Sequence, residues 1–134
     1  MEKETSKIND KLWNKMASTA WKHRENARIL GKTKVGAAVT SKGKIFGGCN
    51  IEHKFRSHDI HAEISAISGM VSAGFQKLVA IIIVSERKKF TPCGGCLDWI
   101  FEFGGPSCLV GYQNKEDEKI EIFRADELMP HYPI

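Results

Sequence analysis

Long hydrophobic runs are absent from this chain of 134 residues. The longest apolar run, Leu78 to Val84, has seven residues, whereas a membrane-spanning helix needs about 20. The first four residues include two glutamates and lead into no apolar segment, so we expect neither a secretory signal nor a membrane partner. A composition of 42% hydrophobic and 27% charged residues is that of a globular protein. The length predicts a single domain over residues 1–134.

Cysteine is scarce, with four residues in the chain, and this count excludes a disulfide-dense scaffold. In the absence of a secretory signal we expect a reducing, cytoplasmic setting, where a Cys-x-x-Cys pair indicates metal or redox chemistry. Cys93 and Cys96 form such a pair. Cys49 and Cys108 fall within predicted strands and are expected to be small core residues.

A large excess of one charge is also lacking, since 20 basic residues face 16 acidic ones and give a formal net charge of +4. Most of the excess lies in the first 34 residues, where basic side chains alternate with apolar positions at close to helical spacing. This pattern is typical of a solvated helix face. We therefore expect no nucleic-acid partner.

Hydrophobic periodicity predicts alternating helices and strands. The predicted helices span residues 6–28, 61–73, 92–103 and 125–129, and the predicted strands span residues 34–40, 45–51, 78–85, 108–112 and 119–123. The third helix is expected to turn Cys96, Trp99, Ile100 and Phe103 inward. Alternation of this kind predicts a three-layer α/β/α sandwich, with helices on both faces of a five-stranded sheet.

Two predicted helix starts carry the residues most indicative of chemistry. His61 begins one helix, and Cys93 and Cys96 lie on the first turn of another. One imidazole and two thiolates suit zinc, and three protein ligands leave the fourth position open to water. A helix N-terminus also favours the thiolate form of cysteine. Glu63, two residues beyond His61, can sit beside the metal without binding it, as a proton shuttle requires.

Other interpretations of these residues are less favoured. A redox Cys-x-x-Cys pair of the thioredoxin type follows a Trp and lies in a different βαβ context. A structural Cys₄ site needs a second pair, which Cys49 and Cys108 do not form. A non-catalytic zinc module would be favoured by loss of Glu63, which is present. The joint occurrence of both motifs, about thirty residues apart with a strand between them, indicates catalytic zinc.

His-x-Glu followed by Pro-Cys-x-x-Cys resembles the motif pair of the zinc-dependent nucleobase and nucleoside deaminases. Within that superfamily, the chain from Val35 to Pro130 is similar to the small cytidine deaminases. The resemblance implies a mixed five-stranded sheet of the cytidine-deaminase type. It also implies one Zn²⁺ per subunit, held by His61, Cys93 and Cys96, and a homotetramer.

The segment from Lys44 to Glu52 resembles the substrate-binding strip of that family. Asn50 and Glu52 are separated by one residue, so their side chains point to the same side of a strand end. The resemblance implies that both hold the ribose of a small-molecule nucleoside. It further implies that Phe46 packs on the pyrimidine ring and that the backbone at Ala62 contacts the base.

The activity implied is hydrolytic deamination of cytidine, deoxycytidine or both to uridine or deoxyuridine, by attack of zinc-bound hydroxide at C4. Glu63 would carry protons to N3 and to the departing amine. One imidazole and two thiolates balance the charge of zinc, whereas related chains with three cysteines usually carry Arg after the Glu. Here that position is the apolar Ile64. A ligand set that includes His61 has no surplus negative charge, so it needs no compensating Arg at this position.

The chain departs from the family where Leu97-Asp98 replace the usual Arg-Gln. This difference leaves open a modified cytosine nucleoside as substrate, of the blasticidin-S type or C4-substituted. A tRNA- or nucleic-acid-editing deaminase is less favoured, because it would carry Glu-Pro-Cys-x-Met-Cys. The sequence does not rank cytidine against deoxycytidine or a tetramer against a dimer. Tyr132 matches, in loose register, a C-terminal aromatic that reaches a neighbouring subunit's site.

Overall fold

Helices cover both faces of a five-stranded sheet in the computed structural model, which describes residues 8–88 and 90–133. The helices are α1 (Asp10–Arg24), α2 (Ala62–Ser72), α3 (Gly94–Gly104) and α4 (Ala125–Leu128), and the strands are β1 (Gly36–Ser41), β2 (Lys44–Cys49), β3 (Ala80–Val84), β4 (Leu109–Gln113) and β5 (Glu121–Arg124). The strand order is β2-β1-β3-β4-β5, and β3 and β4 are parallel while the other neighbours are antiparallel. The predicted three-layer sandwich with a mixed sheet is confirmed.

Helix α1 covers one face of the sheet. It begins after Asn9, whose side-chain oxygen accepts a hydrogen bond from the amide of Leu12 at 2.9 Å and so caps the helix. The helix ends at Arg24, four residues before the predicted end, because residues 25–27 continue as single turns. The predicted start of this helix, near residue 6, lies outside the described residues, which begin at residue 8.

The central strand β3 is buried along its whole length, as its unbroken apolar run predicted. Its alternate side chains enter two separate cores. Ile82 and Val84 pack in the core beneath α1, while Ile81 and Ile83 pack in the core formed with α2 and α3. Helices α2 and α3 therefore share one face of the sheet, opposite α1.

The hairpin between β1 and β2 turns at Lys42 and Gly43, which have φ values of 51° and 80°. Two consecutive residues with positive φ match the twist of the flanking strands. A second glycine, Gly48 on β2, lies against the first turn of α2. A Cβ atom at Gly48 would lie 2.5 Å from the backbone nitrogen of Ala66, so glycine lets α2 approach the sheet closely.

One prediction for α3 is wrong. Trp99 was expected to face inward, but it is 38% exposed and stacks on Phe103 at a ring separation of 5.8 Å. Leu97 and Phe101 are buried instead, together with Cys96 and Ile100. These four residues follow the helical spacing of one face, and Trp99 lies at its edge.

No helix among the described residues has both the length and the apolar character needed to cross a membrane.

Candidate active site

Three potential metal ligands meet where α2 and α3 begin. His61 is the N-cap residue of α2, Cys93 is the N-cap residue of α3, and Cys96 lies on the first turn of α3. Nδ1 of His61 is 3.2 Å from Sγ of Cys96 and 3.5 Å from Sγ of Cys93. The three ligand atoms all lie within 4.8 Å of one another. The structure therefore brings together the ligands that the two sequence motifs predicted.

The spacing of these atoms fits a zinc ion. Bonds of about 2.3 Å to sulfur and about 2.0 Å to nitrogen, arranged tetrahedrally, put nitrogen and sulfur about 3.5 Å apart. The observed separations of 3.2 and 3.5 Å need a shift of a few tenths of an ångström at most. One imidazole and two sulfur ligands are also a donor set that zinc prefers over magnesium or calcium.

Local backbone structure holds the ligands at the helix ends. The carbonyl of His61 accepts the amide of Ser65 at 3.0 Å, and the carbonyl of Cys93 accepts the amide of Leu97 at 2.9 Å. These bonds are the first of each helix, so the ligand side chains project from rigid turns. The free N–H groups of the first turns place partial positive charge near the sulfurs.

Glu63 lies beside the ligand cluster and is 4% exposed. Burial is the main cause that raises the pKa of its carboxyl group above the ordinary value. Burial is likewise the main cause that raises the pKa of the Cys96 thiol, and the negative charge of Glu63 raises it further. The structure thus joins Glu63 to the ligand set without making it a fourth ligand.

A cavity of about 260 Å³ leads from these residues to solvent. Its lining includes His61, Ala62, Glu63 and Cys93. Asn50 and Glu52 line it as well, although β2 has already ended at Cys49. Seven of the eight residues that the sequence singled out thus lie at one site: six line the cavity and Cys96 completes the ligand set.

Asn50 is tied to the segment that precedes β1. Its side-chain oxygen accepts the amide of Val35 at 2.9 Å, and its side-chain nitrogen donates to the carbonyl of Thr33 at 3.0 Å. Both of these partners also line the cavity. Asn50 is 8% exposed, and its amide has one N–H left for a ligand.

Glu52 is tied to the same segment at a different point. One carboxylate oxygen accepts the amides of Leu30 and Gly31, at 2.6 and 2.8 Å. The other oxygen pairs with Nη2 of Arg56 at 3.1 Å. The two backbone N–H groups are the main cause that lowers the pKa of Glu52, so it is ionised at neutral pH.

Phe46 is the predicted site residue that the structure does not bring to the cavity. It lies four residues before Asn50, which is about 13 Å along a strand, and its ring packs against Phe75 with a centroid separation of 5.4 Å. The aromatic side chain that does line the cavity is Phe90, just before α3. The expected contact of Phe46 with a base is not supported by this position.

Several cavity residues were missed by motif reasoning. They come from three loops, and they are Thr33, Arg56, Asp59, Ile60, Arg87, Phe90 and Thr91. Phe90 and Thr91 precede the Pro-Cys motif directly, which is a signal that could have indicated them. Arg56 and Arg87 carry no local pattern that distinguishes them from surface arginines.

The departure at Leu97-Asp98 lies outside the cavity. Leu97 is buried in the core at 5% exposure. The Asp98 carboxylate accepts a hydrogen bond from the Tyr132 hydroxyl. Neither side chain lines the cavity, so this departure does not alter its wall.

The sequence profile of the cytidine and deoxycytidylate deaminase zinc-binding region matches residues 9–112. The chain belongs to this family. A cytidine deaminase of Sporosarcina psychrophila is 34% identical over 119 residues, which cover 87% of this chain and 87% of that protein. A probable cytidine deaminase of Dictyostelium discoideum is 40% identical over 74 residues, which cover 53% of this chain and 50% of that protein.

The fold agrees with this membership of the cytidine deaminase family. The crystal structure of a cytidine deaminase from Burkholderia pseudomallei superimposes with a TM-score of 0.81 at 27% identity, covering 92% of this chain and 98% of that one. The identification made from the motif pair is therefore confirmed, and so is the expectation of a zinc-binding enzyme that hydrolyses C–N bonds. His61, Cys93 and Cys96 are the described residues that can hold the zinc ion.

Proposed function

We propose that this family member deaminates cytidine, deoxycytidine or both. The products are ammonia and uridine or deoxyuridine. The observation that carries the proposal is the position of Glu63, which is buried, lies beside three potential zinc ligands and lines a cavity. This position lets one carboxyl group serve both a water molecule and a base held in the cavity. A zinc module without catalysis would not need a buried carboxylate there.

His61, Cys93 and Cys96 would hold the zinc ion. When bound, zinc supplies Lewis acidity, which makes a water molecule nucleophilic at neutral pH. The two sulfurs and one imidazole balance its charge, and the apolar Ile64 after Glu63 adds none. Because His61 and Cys93 line the cavity, an ion held by these residues would be accessible to a molecule bound there.

Glu63 serves as the proton carrier. It takes a proton from the attacking water and delivers it to N3 of the pyrimidine. It then takes the second proton, from the hydroxyl group added at C4, and delivers it to the amine, which leaves as ammonia. Burial raises the pKa of its carboxyl group above the ordinary value, which makes the carboxylate a better proton acceptor. Proton transfer of this kind contributes about 10²- to 10⁴-fold to the rate.

The remaining cavity residues would orient the nucleoside. Ala62 is the first residue of α2 and lines the cavity, so its backbone can meet the edge of a base bound beside Glu63. Phe90 takes the packing role expected of Phe46, because it lines the cavity. Asn50 and Glu52 line the same cavity and would contact the sugar.

We further propose one domain over residues 1–134, a homotetramer and a cytoplasmic location. The two cores share one sheet, which supports a single domain. Exposed apolar side chains near the cavity support burial between subunits, and they are Leu30, Ile51, Phe55 and Ile60. The cysteine ligands need a reducing setting to stay available for zinc. Light scattering of the purified chain measures its oligomeric state, and a monomer would contradict the proposed homotetramer.

The activity is tested with zinc-loaded, full-length protein and an absorbance assay for loss of the amine. We expect turnover of cytidine or deoxycytidine and none of adenosine. Blasticidin S and free cytosine separate the modified-nucleoside alternative from the proposal. Folded protein that holds one equivalent of zinc and deaminates no cytosine nucleoside would overturn the proposal.

A further inference from the structure

Glu52 has one carboxylate oxygen left for a ligand. It lines the cavity, and its Oε1 accepts the amides of Leu30 and Gly31 at 2.6 and 2.8 Å. A carboxylate oxygen offers two lone pairs, so these two hydrogen bonds fill Oε1. Within the described part of the chain, the partner of Oε2 is Nη2 of Arg56, at 3.1 Å. A sugar hydroxyl that donates to Glu52 therefore has to use the remaining lone pair of Oε2.

Arg56 connects this oxygen to a second carboxylate. Its Nε donates to Asp59 at 2.9 Å while its Nη2 contacts Glu52. Asp59 is fixed in turn, because its other oxygen accepts the amide of His53 at 2.7 Å. The side chains of Glu52 and Asp59 are 13% and 17% exposed, whereas that of Arg56 is 56% exposed. The guanidinium is therefore oriented by one well-covered carboxylate and contacts the other.

Arg56 also supplies the positive charge that these two carboxylates share. The amides of Gly31 and Leu30 are the main cause that lowers the pKa of Glu52. The charge of Arg56 lowers that pKa further, while the charge of Asp59 opposes the shift. Carboxylates without a cation between them repel each other. Without the guanidinium, repulsion would move Oε2 of Glu52 more readily than Oε1, because the two backbone amides hold Oε1.

The loop that carries Arg56 is closed by backbone hydrogen bonds. The amide of Ile51 donates to the carbonyl of Ile60 at 2.8 Å, and the amide of Ile60 donates to the carbonyl of Ile51 at 2.9 Å. Ile60 lies between Arg56 and the metal ligand His61 along the chain, and its bonds to Ile51 need no side chain. Loss of the Arg56 side chain should therefore leave the metal ligand in place and act on Glu52.

We propose that Arg56 is a positioning residue that holds Oε2 of Glu52 where it can accept a hydrogen bond from a sugar hydroxyl of the substrate. This inference rests on the proposed deaminase activity and on Glu52 as a sugar contact. In this role Arg56 acts through Glu52 and not on the reacting atoms. Its loss weakens substrate binding and leaves the proton transfers by Glu63 unchanged.

The test is a double-mutant cycle on zinc-loaded, full-length protein with cytidine as substrate. Arg56→Gln should raise KM by about 3- to 10-fold and leave kcat unchanged. Arg56→Lys keeps the charge but loses the planar fork, so it should recover part of the loss. Glu52→Gln should raise KM by about 10-fold or more, because a hydrogen bond to a charged group is lost. Adding Arg56→Gln to Glu52→Gln should cause no further rise.

A ligand without the ring hydroxyls separates action through Glu52 from a general effect on the cavity. Arg56→Gln should leave KM for 2′,3′-dideoxycytidine unchanged while it raises KM for cytidine. Calorimetry with uridine and 2′,3′-dideoxyuridine gives the same comparison without turnover. Arg124→Gln is the matched control, since it removes another partly exposed arginine that pairs with a carboxylate, outside the cavity. It should change none of these values.

Equal losses of affinity for uridine and dideoxyuridine in Arg56→Gln would overturn the inference. So would a double variant whose loss equals the product of the two single losses, because Arg56 would then act independently of Glu52. A fall in kcat or in zinc content with KM unchanged would also contradict it. An unchanged KM in Glu52→Gln would refute the sugar contact and the inference with it. Inactivity of the wild-type protein on every cytosine nucleoside would instead refute the deaminase proposal.

Discussion

The hydroxyl of Tyr132 donates a hydrogen bond to the carboxylate of Asp98, and this contact ties the C-terminal segment to α3. The Tyr132 ring also stacks on Phe101, with centroids 4.1 Å apart and planes 13° from parallel. The hydrogen bond to Asp98 is the main cause that raises the pKa of Tyr132. Tyr132 is thus engaged within its own subunit, beside the helix that carries Cys93 and Cys96.

Replacing Tyr132 tests this contact. Tyr132→Phe keeps the stacked ring and removes the hydroxyl, so we expect Tm to fall by about 2 °C or less, because the bond lies at the surface. Zinc content should stay at one equivalent. Asp98→Asn keeps a hydrogen-bond acceptor for the Tyr132 hydroxyl, so it should lower Tm by less than Tyr132→Phe does. A loss of activity without loss of stability would indicate instead that Tyr132 contacts a neighbouring subunit's substrate.

Replacing Glu63 tests the proton carrier. Glu63→Gln keeps the shape of the side chain but removes the acid, so we expect kcat/KM to fall by about 10²- to 10⁴-fold or more. Zinc should remain bound, since Glu63 is not one of the ligands. Glu116→Gln removes an exposed carboxylate elsewhere and serves as the matched control. Retained activity in Glu63→Gln would disprove the assigned role.

Replacing His61 tests the charge balance of the metal site. His61→Cys keeps three ligands but adds a negative charge, and Ile64 offers no compensating cation. We expect turnover to fall more than zinc content, because a more negative ligand set weakens zinc as a Lewis acid. Elemental analysis and kcat are compared on the same sample. Equal losses of zinc and turnover would contradict the charge argument.

Adding a methyl group at Gly48 tests the close packing of α2 on β2. A Cβ there would lie 2.5 Å from the Ala66 nitrogen and 2.6 Å from the Ser65 hydroxyl. Gly48→Ala should therefore lower the free energy of unfolding by about 1–3 kcal/mol and reduce activity by moving the helix that carries Glu63. Gly69→Ala, also in α2 but in open space, should raise stability by about 0.5–1 kcal/mol. Denaturant titration measures both variants, and similar effects at the two positions would contradict the packing argument.

The acid sensitivity of the fold provides a pH test. The pKa of Glu52 is lowered in the folded protein, chiefly by the amides of Gly31 and Leu30, and that of Asp59 is lowered chiefly by the amide of His53. Their stabilising contribution is complete above the unfolded-state values of about 4. It is lost as the pH falls through the lowered folded-state values.

The expected signature is a Tm that declines as the pH falls below about 4, with a shallower decline in Glu52→Gln than in the wild type. The variant should be less stable than the wild type at neutral pH, and the two curves should converge in acid. Parallel curves for the two proteins would show that the Glu52 carboxylate is not preferentially stabilised on folding.

The sequence by itself determined the metal ligands, the acid beside them and the alternation of elements. His61 and Glu63 share one short motif, and Cys93 and Cys96 share another. Each motif lies at a helix start, where spacing along the chain fixes the relative positions of the residues within the motif. The continuous run that forms β3 likewise predicted a strand covered on both faces. These features are local, so motif spacing predicted the ligands and hydrophobic periodicity predicted the strand.

Tertiary structure decided which side chains surround the substrate. Phe46 was expected at the base but packs on Phe75, while Phe90 lines the cavity in its place. Arg56 and Arg87 meet in one cavity although 31 positions separate them in the sequence. Loops that follow different elements converge there because both helices pack on one face of the sheet and begin at the same place. No local periodicity encodes that convergence, which arises from the packing of α2 and α3 against the sheet.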